Sequence, residues 1–168
     1  MSAIEPILGY CTGRYSKDHR MTGDLMATTT IDVRAELPAS PAQVYRRLAD
    51  RSSWSDWSGH SRAELTAPSD EDPAGEGAVW VMYRGKKSVT ERVVELEPDR
   101  RVTYTLLDGL RLTNYRAGFE LAPSGSGTAV HWHSEFTAKP GTGWLYRRAL
   151  AYFMRRAFTK LSAVAASD

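Results

Sequence analysis

The first regular stretch of the chain alternates strictly between apolar and polar residues. In TTTIDVRAEL, the apolar residues Ile31, Val33, Ala35 and Leu37 occupy every second position, so they share one parity and point to one face of a strand. This pattern is typical of a strand with one buried face. Six later stretches, set between turn residues, are also predicted strands: HSRAELTA, AVWVMYR, SVTERVVELE, RVTYTLL, LRLTNYRAGFEL and TAVHWHSEF. Most of the connections are short, and parallel strands need a longer crossover. The pattern therefore predicts an antiparallel meander.

Two regions have helical spacing instead. After the first strand, Ser40 suits an N-cap and Pro41 suits the first helical position. The following SSWSDWSG predicts a second short helix or turn. In GTGWLYRRALAYFMRRAFTKLSAVAA, apolar residues recur at helical spacing over some six turns, or about 35 Å. We expect this helix to run from about Gly143 to Ala165.

The order of these elements predicts an α+β domain over residues 28–168. A single antiparallel sheet has one face to bury, and one long amphipathic helix is available to cover it. We therefore expect a seven-stranded sheet that wraps around the C-terminal helix, with two short helices after the first strand and an internal cavity. Residues 1–27 show no periodicity, and we expect a loosely ordered N-terminal extension there.

Several local phrases are similar to those of one superfamily. They are PAQVYRRLAD followed by WSDWS, VVELEPDRRVTY, RAGFELAPSGSGTAVHW and the closing basic helix. With the element order, they resemble the START-like (SRPBCC) helix-grip superfamily, and in particular its polyketide cyclase/dehydrase-type family, over residues 28–166. The resemblance implies a START/Bet v 1-like fold with a cavity between sheet and helix. Aromatase/cyclases, lipid carriers and hormone receptors all belong to this superfamily, so the activity stays open.

Strand parity indicates which side chains face the cavity. AVWVMYR is apolar on both parities, and we favour Trp80, Met82 and Arg84 facing inward. The resemblance implies that the WSDWS helix closes the cavity near its mouth, which adds Trp57. The predicted ligand-binding residues are Trp57, Trp80, Met82, Tyr104, Leu106, Tyr115, Phe119, Trp132 and Phe153. The alternative is that these side chains only pack against the helix.

SVTERVVELE fits two registers. If Val89 and Val93 point inward, Glu91 does too. An inward carboxylate has three alternative roles: it orients a ligand, pairs with Arg84 or acts as a general base. The last role is open to it because desolvation raises the pKa of a buried carboxyl towards neutral pH. In the other register Glu91 faces solvent. Glu91 is the candidate catalytic residue, and whether any reaction is catalysed stays open.

HWHSEF places His131, His133 and Glu135 on one face of a strand, where they resemble a ligand set for a divalent metal. The other face carries Trp132 and Phe136. Burying these rings gains about 1.5–3 kcal/mol or more each, whereas burying an unpaired carboxylate costs several. We therefore expect the His/His/Glu face to point to solvent, and we expect no metal site and no cofactor.

Composition narrows the classes of partner. The net charge is +2, which gives no reason to expect nucleic acid. Cys11 is the only cysteine, so neither an intramolecular disulfide nor a cysteine zinc site can form. No apolar run reaches the ~18 residues of a membrane span, and the first residues lack the apolar core of a signal peptide. We expect a cytoplasmic protein without integral membrane contact.

The C-terminal helix is strongly basic. It carries five cations and no acidic residue between Gly141 and Ala166. Such a helix is a candidate for peripheral contact with an anionic membrane or for contact with a protein partner; the alternative is a solvated face balanced by acids elsewhere.

The main prediction for the whole chain is the binding of a small hydrophobic ligand, lipid or polyketide-like, in the cavity. The alternative is a polyketide aromatase/cyclase or dehydratase-type enzyme that acts there.

Overall fold

The elements follow the predicted order. A computed structural model of the protein describes residues 28–165, and the predicted extension over residues 1–27 lies outside the described residues. The elements are β1 (Thr28–Leu37), α1 (Pro41–Ala49), a 3-10 turn (Arg51–Ser53), α2 (Trp54–Trp57), β2 (Arg62–Ala67), β3 (Val79–Arg84), β4 (Lys87–Glu97), β5 (Arg101–Asp108), β6 (Leu112–Ser124), β7 (Gly127–Ala138) and α3 (Gly143–Ala165).

The seven strands form one sheet in the order β1-β7-β6-β5-β4-β3-β2. Every neighbouring pair is antiparallel. Strands β2 to β7 form a meander, and β1 pairs with the far edge through β7. The predicted seven-stranded antiparallel sheet, the two short helices after the first strand and the long C-terminal helix are therefore confirmed.

The core lies between the concave face of the sheet and α3. In β7, Val130, Trp132, Ser134 and Phe136 are buried, as their parity predicted. Phe158 of α3 reaches the Trp132 ring, with ring centroids 5.7 Å apart. The helix buries a stripe at helical spacing, comprising Met154, Ala157, Phe158, Leu161 and Ala165. Each large side chain in this interface contributes about 1.5–3 kcal/mol through burial.

The short helices hold a charged side chain inside the domain. Ser40 and Gln43 form a capping box at the start of α1, which satisfies two orphan N–H groups. At the end of α1, the Asp50 side chain accepts a hydrogen bond from the backbone N–H of Ser52. This local bond starts the 3-10 turn that directs Arg51 into the core, where the side chain is 1% exposed.

Strand β4 is bulged on the β5 side. Its pairing with β5 shifts between Thr90 and Glu91 and again between Val93 and Glu95, and such bulges re-aim side chains. Glu91 and Val93 are buried, and Arg92 between them is exposed. The inward register of Glu91 is thus the one that the protein adopts.

Candidate functional site

A cavity of about 360 Å³ lies between the concave face of the sheet and α3, within the range of small-molecule sites. Strands β3 to β7 form its floor and walls, and Ala149, Leu150, Phe153 and Met154 of α3 form its roof. Gly109 lets the β5–β6 turn approach closely: its φ is +103°, and a Cβ there would collide with the β4 backbone at Ser88. Any larger residue at this position would therefore push the turn away from β4.

Six of the nine predicted ligand-binding residues line this cavity. They are Met82, Tyr104, Leu106, Tyr115, Trp132 and Phe153. Trp57, Trp80 and Phe119 are not in the lining but are buried next to it. Phe119 packs directly behind Trp132, with ring centroids 4.4 Å apart. Trp57 packs against Trp54 in a tilted arrangement, with centroids 5.0 Å apart. The role of all nine in binding stays a prediction.

The buried acid of the cavity wall is Glu91, and its partner is Arg51 rather than Arg84. Arg51 Nη1 donates a hydrogen bond to Glu91 Oε2 over 2.8 Å. The guanidinium also lies over two aromatic rings, 3.9 Å from the centroid of Trp54 and 4.4 Å from that of Tyr104. Cation–π contacts of this kind stabilise a desolvated cation by about 2 kcal/mol or more.

The sequence interpretation missed Arg51 because arginine in a short turn usually faces solvent. The available signal was its position three residues before Trp54, the first tryptophan of WSDWS. The Nε and Nη2 atoms of Arg51 are buried and find no hydrogen-bond partner among the described residues. The aromatic rings and the Glu91 carboxylate are therefore its main compensation for lost water.

Burial dominates the electrostatics of the acid. It raises the pKa of the Glu91 carboxyl, and the charge and hydrogen bond of Arg51 act in the opposite direction without cancelling that effect. Burial also raises the pKa of the Tyr104 phenol well above its ordinary value. The hydroxyl therefore stays protonated near neutral pH, and it is oriented by Trp132 Nε1, which donates a hydrogen bond to Tyr104 Oη over 3.0 Å.

His60 is a second cavity residue that sequence reasoning did not find. It is the first residue of the predicted strand HSRAELTA, but β2 begins only at Arg62. The half-buried ring of His60 lines the cavity and meets the Phe153 ring at 5.6 Å. Burial, and then the charges of Arg84 and Arg51, lower the pKa of His60 to about 4. The ring is therefore neutral at pH 7, and its Nδ1 lies 2.6 Å from Ser58 Oγ.

His131, His133 and Glu135 of HWHSEF face away from the cavity, as predicted. His131 Nε2 lies 2.7 Å from Asp32 Oδ1, and its Nδ1 lies 3.5 Å from Glu120 Oε2. Glu135 is exposed. Within residues 28–165, no group of three or more His, Cys, Asp or Glu side chains is arranged to hold a metal ion. The expectation of no metal site stays a prediction.

A second, larger depression of about 630 Å³ lies on the convex face of the sheet, around Arg101, Glu120 and His131. Arg101 forms ion pairs with Glu95 and Glu97 there. Charges that are already paired and solvated offer little apolar surface to a ligand. We therefore regard the smaller cavity under α3 as the candidate site.

The family of the chain follows from its sequence match. A family model described as "Polyketide cyclase / dehydrase and lipid transport" matches residues 28–166. The chain belongs to this polyketide cyclase/dehydrase and lipid transport family. No curated protein shows significant sequence similarity to it.

Solved structures show the same fold in other proteins. A protein from Thermobifida fusca is 25% identical, with a TM-score of 0.70 over 81% of this chain and 92% of that one. A START superfamily protein from Mycobacterium smegmatis is 12% identical, with a TM-score of 0.70 over 82% and 97%. The protein XoxI from Bacillus cereus is 21% identical, with a TM-score of 0.68 over 83% and 95%.

Family and fold together indicate a helix-grip domain of the hydrophobic ligand-binding or polyketide cyclase type. They name neither a ligand nor an activity. None of the helices in the described part of the chain is long and apolar enough to cross a membrane.

Proposed function

We propose that this member of the polyketide cyclase/dehydrase and lipid transport family is a binding module that holds a small hydrophobic molecule, lipid or polyketide-like, under α3. The observation that carries the proposal is the cavity of about 360 Å³ whose wall is mainly aromatic and aliphatic. Each Å² of apolar ligand surface removed from water contributes about 25 cal/mol. A cytoplasmic location is part of the proposal, because a single cysteine suits a reducing compartment.

The polar groups of the cavity favour orientation of a ligand over proton transfer. Arg51 already binds one oxygen of Glu91, Tyr104 keeps its proton because burial raises its phenol pKa, and His60 is neutral because burial lowers its pKa to about 4. A general acid or base needs a pKa near the working pH. These groups supply hydrogen bonds at fixed positions, which is what specificity in a binding pocket requires.

The experiment is a titration with N-phenyl-1-naphthylamine, a neutral dye that fluoresces in apolar sites. Leu106 lines the cavity, whereas its neighbour Leu107 is 44% exposed. Leu106→Trp fills the cavity and should weaken dye binding at least tenfold, and the matched control Leu107→Trp should leave binding within twofold. Equal affinities for the two variants, both folded by circular dichroism, would contradict binding in this cavity.

A second candidate is an aromatase/cyclase or dehydratase that uses Glu91 as a base. One observation favours it: only Oε2 of Glu91 receives a hydrogen bond from the described residues, and the residue lines the cavity. In the binding module, Glu91→Gln keeps an acceptor oxygen, so dye affinity should stay within about tenfold, or ~1.4 kcal/mol. Loss of turnover of a poly-β-keto thioester in this variant, with dye binding intact, would establish the enzyme instead.

We also propose peripheral contact between the outer face of α3 and an anionic membrane. Three large apolar side chains of this face are exposed: Trp144 by 68%, Leu145 by 54% and Tyr152 by 60%. Exposed arginines accompany them on the helix: Arg148 lies before Tyr152 and Arg155 after it. Aromatic side chains favour the membrane interface, and basic side chains favour anionic lipid headgroups. A ligand-binding module on such a surface would exchange its ligand with the bilayer.

A further inference from the structure

Two cations stand at the rim of the cavity. Arg84 ends β3 and Lys87 begins β4, and both side chains line the cavity while staying exposed to solvent. The two residues are directly opposite each other in the antiparallel register. Side chains at such positions project from the same face of the sheet, with Cβ atoms about 4.5–5.5 Å apart.

No carboxylate of the described residues lies within ion-pair distance of either cation. Some exposed arginines do have acidic partners: Arg62 of β2 pairs with Glu64, and Arg100 in the β4–β5 turn pairs with Glu97. The guanidinium of Arg84 lies instead near the Phe153 ring, with its carbon 5.8 Å from the ring centroid. Like charges placed directly opposite each other destabilise a strand pair, so an anion held between these two side chains would relieve that repulsion.

The interior of the cavity does not supply the missing negative charge. Glu91 is its acid, and Arg51 neutralises this carboxylate through the 2.8 Å ion pair. The side chains in and behind the wall therefore leave a net positive charge at the mouth. The neutral state of His60 is consistent with this field, because Arg84 adds to burial in lowering the pKa of that imidazole.

We infer that the cavity selects an amphipathic anion, such as a carboxylate whose apolar body enters the cavity while its head stays at Arg84 and Lys87. This inference rests on the proposed ligand-binding function and adds the chemical class of the ligand. A head at the mouth keeps part of its water, so its charge is stabilised without full desolvation. A carboxylate placed deeper would lose its water among apolar side chains without a free cation among the described residues to pair with there, because Arg51 is already bound to Glu91. This cost sets the orientation of the ligand.

The test compares decanoate with 1-decanol, which share an apolar chain and differ in charge at pH 7.5. Each displaces N-phenyl-1-naphthylamine from the wild type, Arg84→Gln, Lys87→Gln and the control Lys86→Gln. Lys86 lies in the same hairpin but does not line the cavity. We expect each rim variant to weaken decanoate about three- to tenfold while leaving 1-decanol within twofold, and Lys86→Gln to change neither.

The outcomes separate this inference from the function on which it rests. If neither the dye nor 1-decanol binds the wild type, both the proposed function and the inference are wrong. If both bind but decanoate is insensitive to the rim variants, or is as sensitive to Lys86→Gln, the binding function stands and the choice of an anion is overturned. All three substitutions are at exposed side chains, so circular dichroism should show unchanged folding.

Discussion

At the scale of residues, the sequence predicted the apolar side chains of the cavity better than its polar ones. Strand parity was enough to predict Tyr104, Leu106 and Trp132 as lining residues, because a period of two is read directly from apolar spacing. Parity did not decide whether Glu91 faces the cavity, because valines occur on both faces of its strand: Val89 and Val93 on the same face, and Val94 on the other. The pairing with β3 decides the matter, because Glu91 lies opposite the buried Trp80, and this pairing is not encoded in the pattern of one strand.

Arg51 and His60 could not be predicted for a related reason. Both lie between regular elements, where no periodicity indicates a direction. Arg51 is buried because Trp54 and Tyr104 cover its guanidinium and Glu91 binds it, and those contacts join three separate parts of the chain. Removing one member of a buried ion pair typically costs about 3–5 kcal/mol, so Arg51 belongs to the stability of the cavity as much as to its chemistry.

His60 should make the stability of the protein depend on pH. Its pKa is about 4 in the folded protein, against the ordinary value of 6.5. The unfolded chain therefore binds more protons between these values, and folded stability is lost as pH falls from about 6.5 to 4. We expect the free energy of unfolding to drop about 2–3 kcal/mol more in the wild type than in His60→Phe between pH 7 and pH 4. Urea titrations at pH 7 and pH 4 measure the free energy of unfolding of both proteins. An equal drop in the wild type and in His60→Phe would rule out a buried neutral imidazole.

At the scale of elements, α3 was predicted from end to end. Its apolar spacing is continuous over six turns, and the ends at Gly143 and Ala165 match the expectation. The buried face follows from this spacing because an amphipathic helix has only one apolar stripe to cover a sheet. The outer face could be predicted as basic but not as aromatic, since the periodicity alone does not reveal that Trp144 and Tyr152 stay exposed.

The outer face of α3 should bind anionic vesicles. Arg148, Arg155 and Arg156 are exposed, and each basic residue near an anionic surface contributes about 1 kcal/mol. Replacing all three by Gln should lower the affinity for phosphatidylserine-containing vesicles about a hundredfold, as measured by flotation at low salt. The matched control replaces exposed Arg92, Arg111 and Arg116 elsewhere. Equal losses in both variants would point to net charge alone and against a docking face on α3.

At the scale of the whole molecule, the sequence predicts the architecture more completely than the site. One sheet, one long helix and short connections allow few arrangements, and the helix-grip fold is confirmed. The size of the cavity depends on side chains that meet across β3, β5, β7 and α3. The distances between these side chains are set by tertiary packing and bulges, which a hydrophobic pattern does not encode. The fold could therefore be predicted in detail, and the chemistry of its cavity only in outline.

The most direct test of ligand binding under α3 is a ¹H–¹⁵N spectrum of the indole groups during titration with N-phenyl-1-naphthylamine. The five tryptophans occupy distinct environments: Trp54 and Trp132 line the cavity, Trp57 and Trp80 are buried beside it, and Trp144 is 68% exposed on α3. We predict that the Trp132 and Trp54 signals shift most, in a saturable one-site manner, and that the Trp144 signal stays in place. Shifts confined to Trp144, with Trp132 unchanged at saturation, would contradict binding inside the cavity.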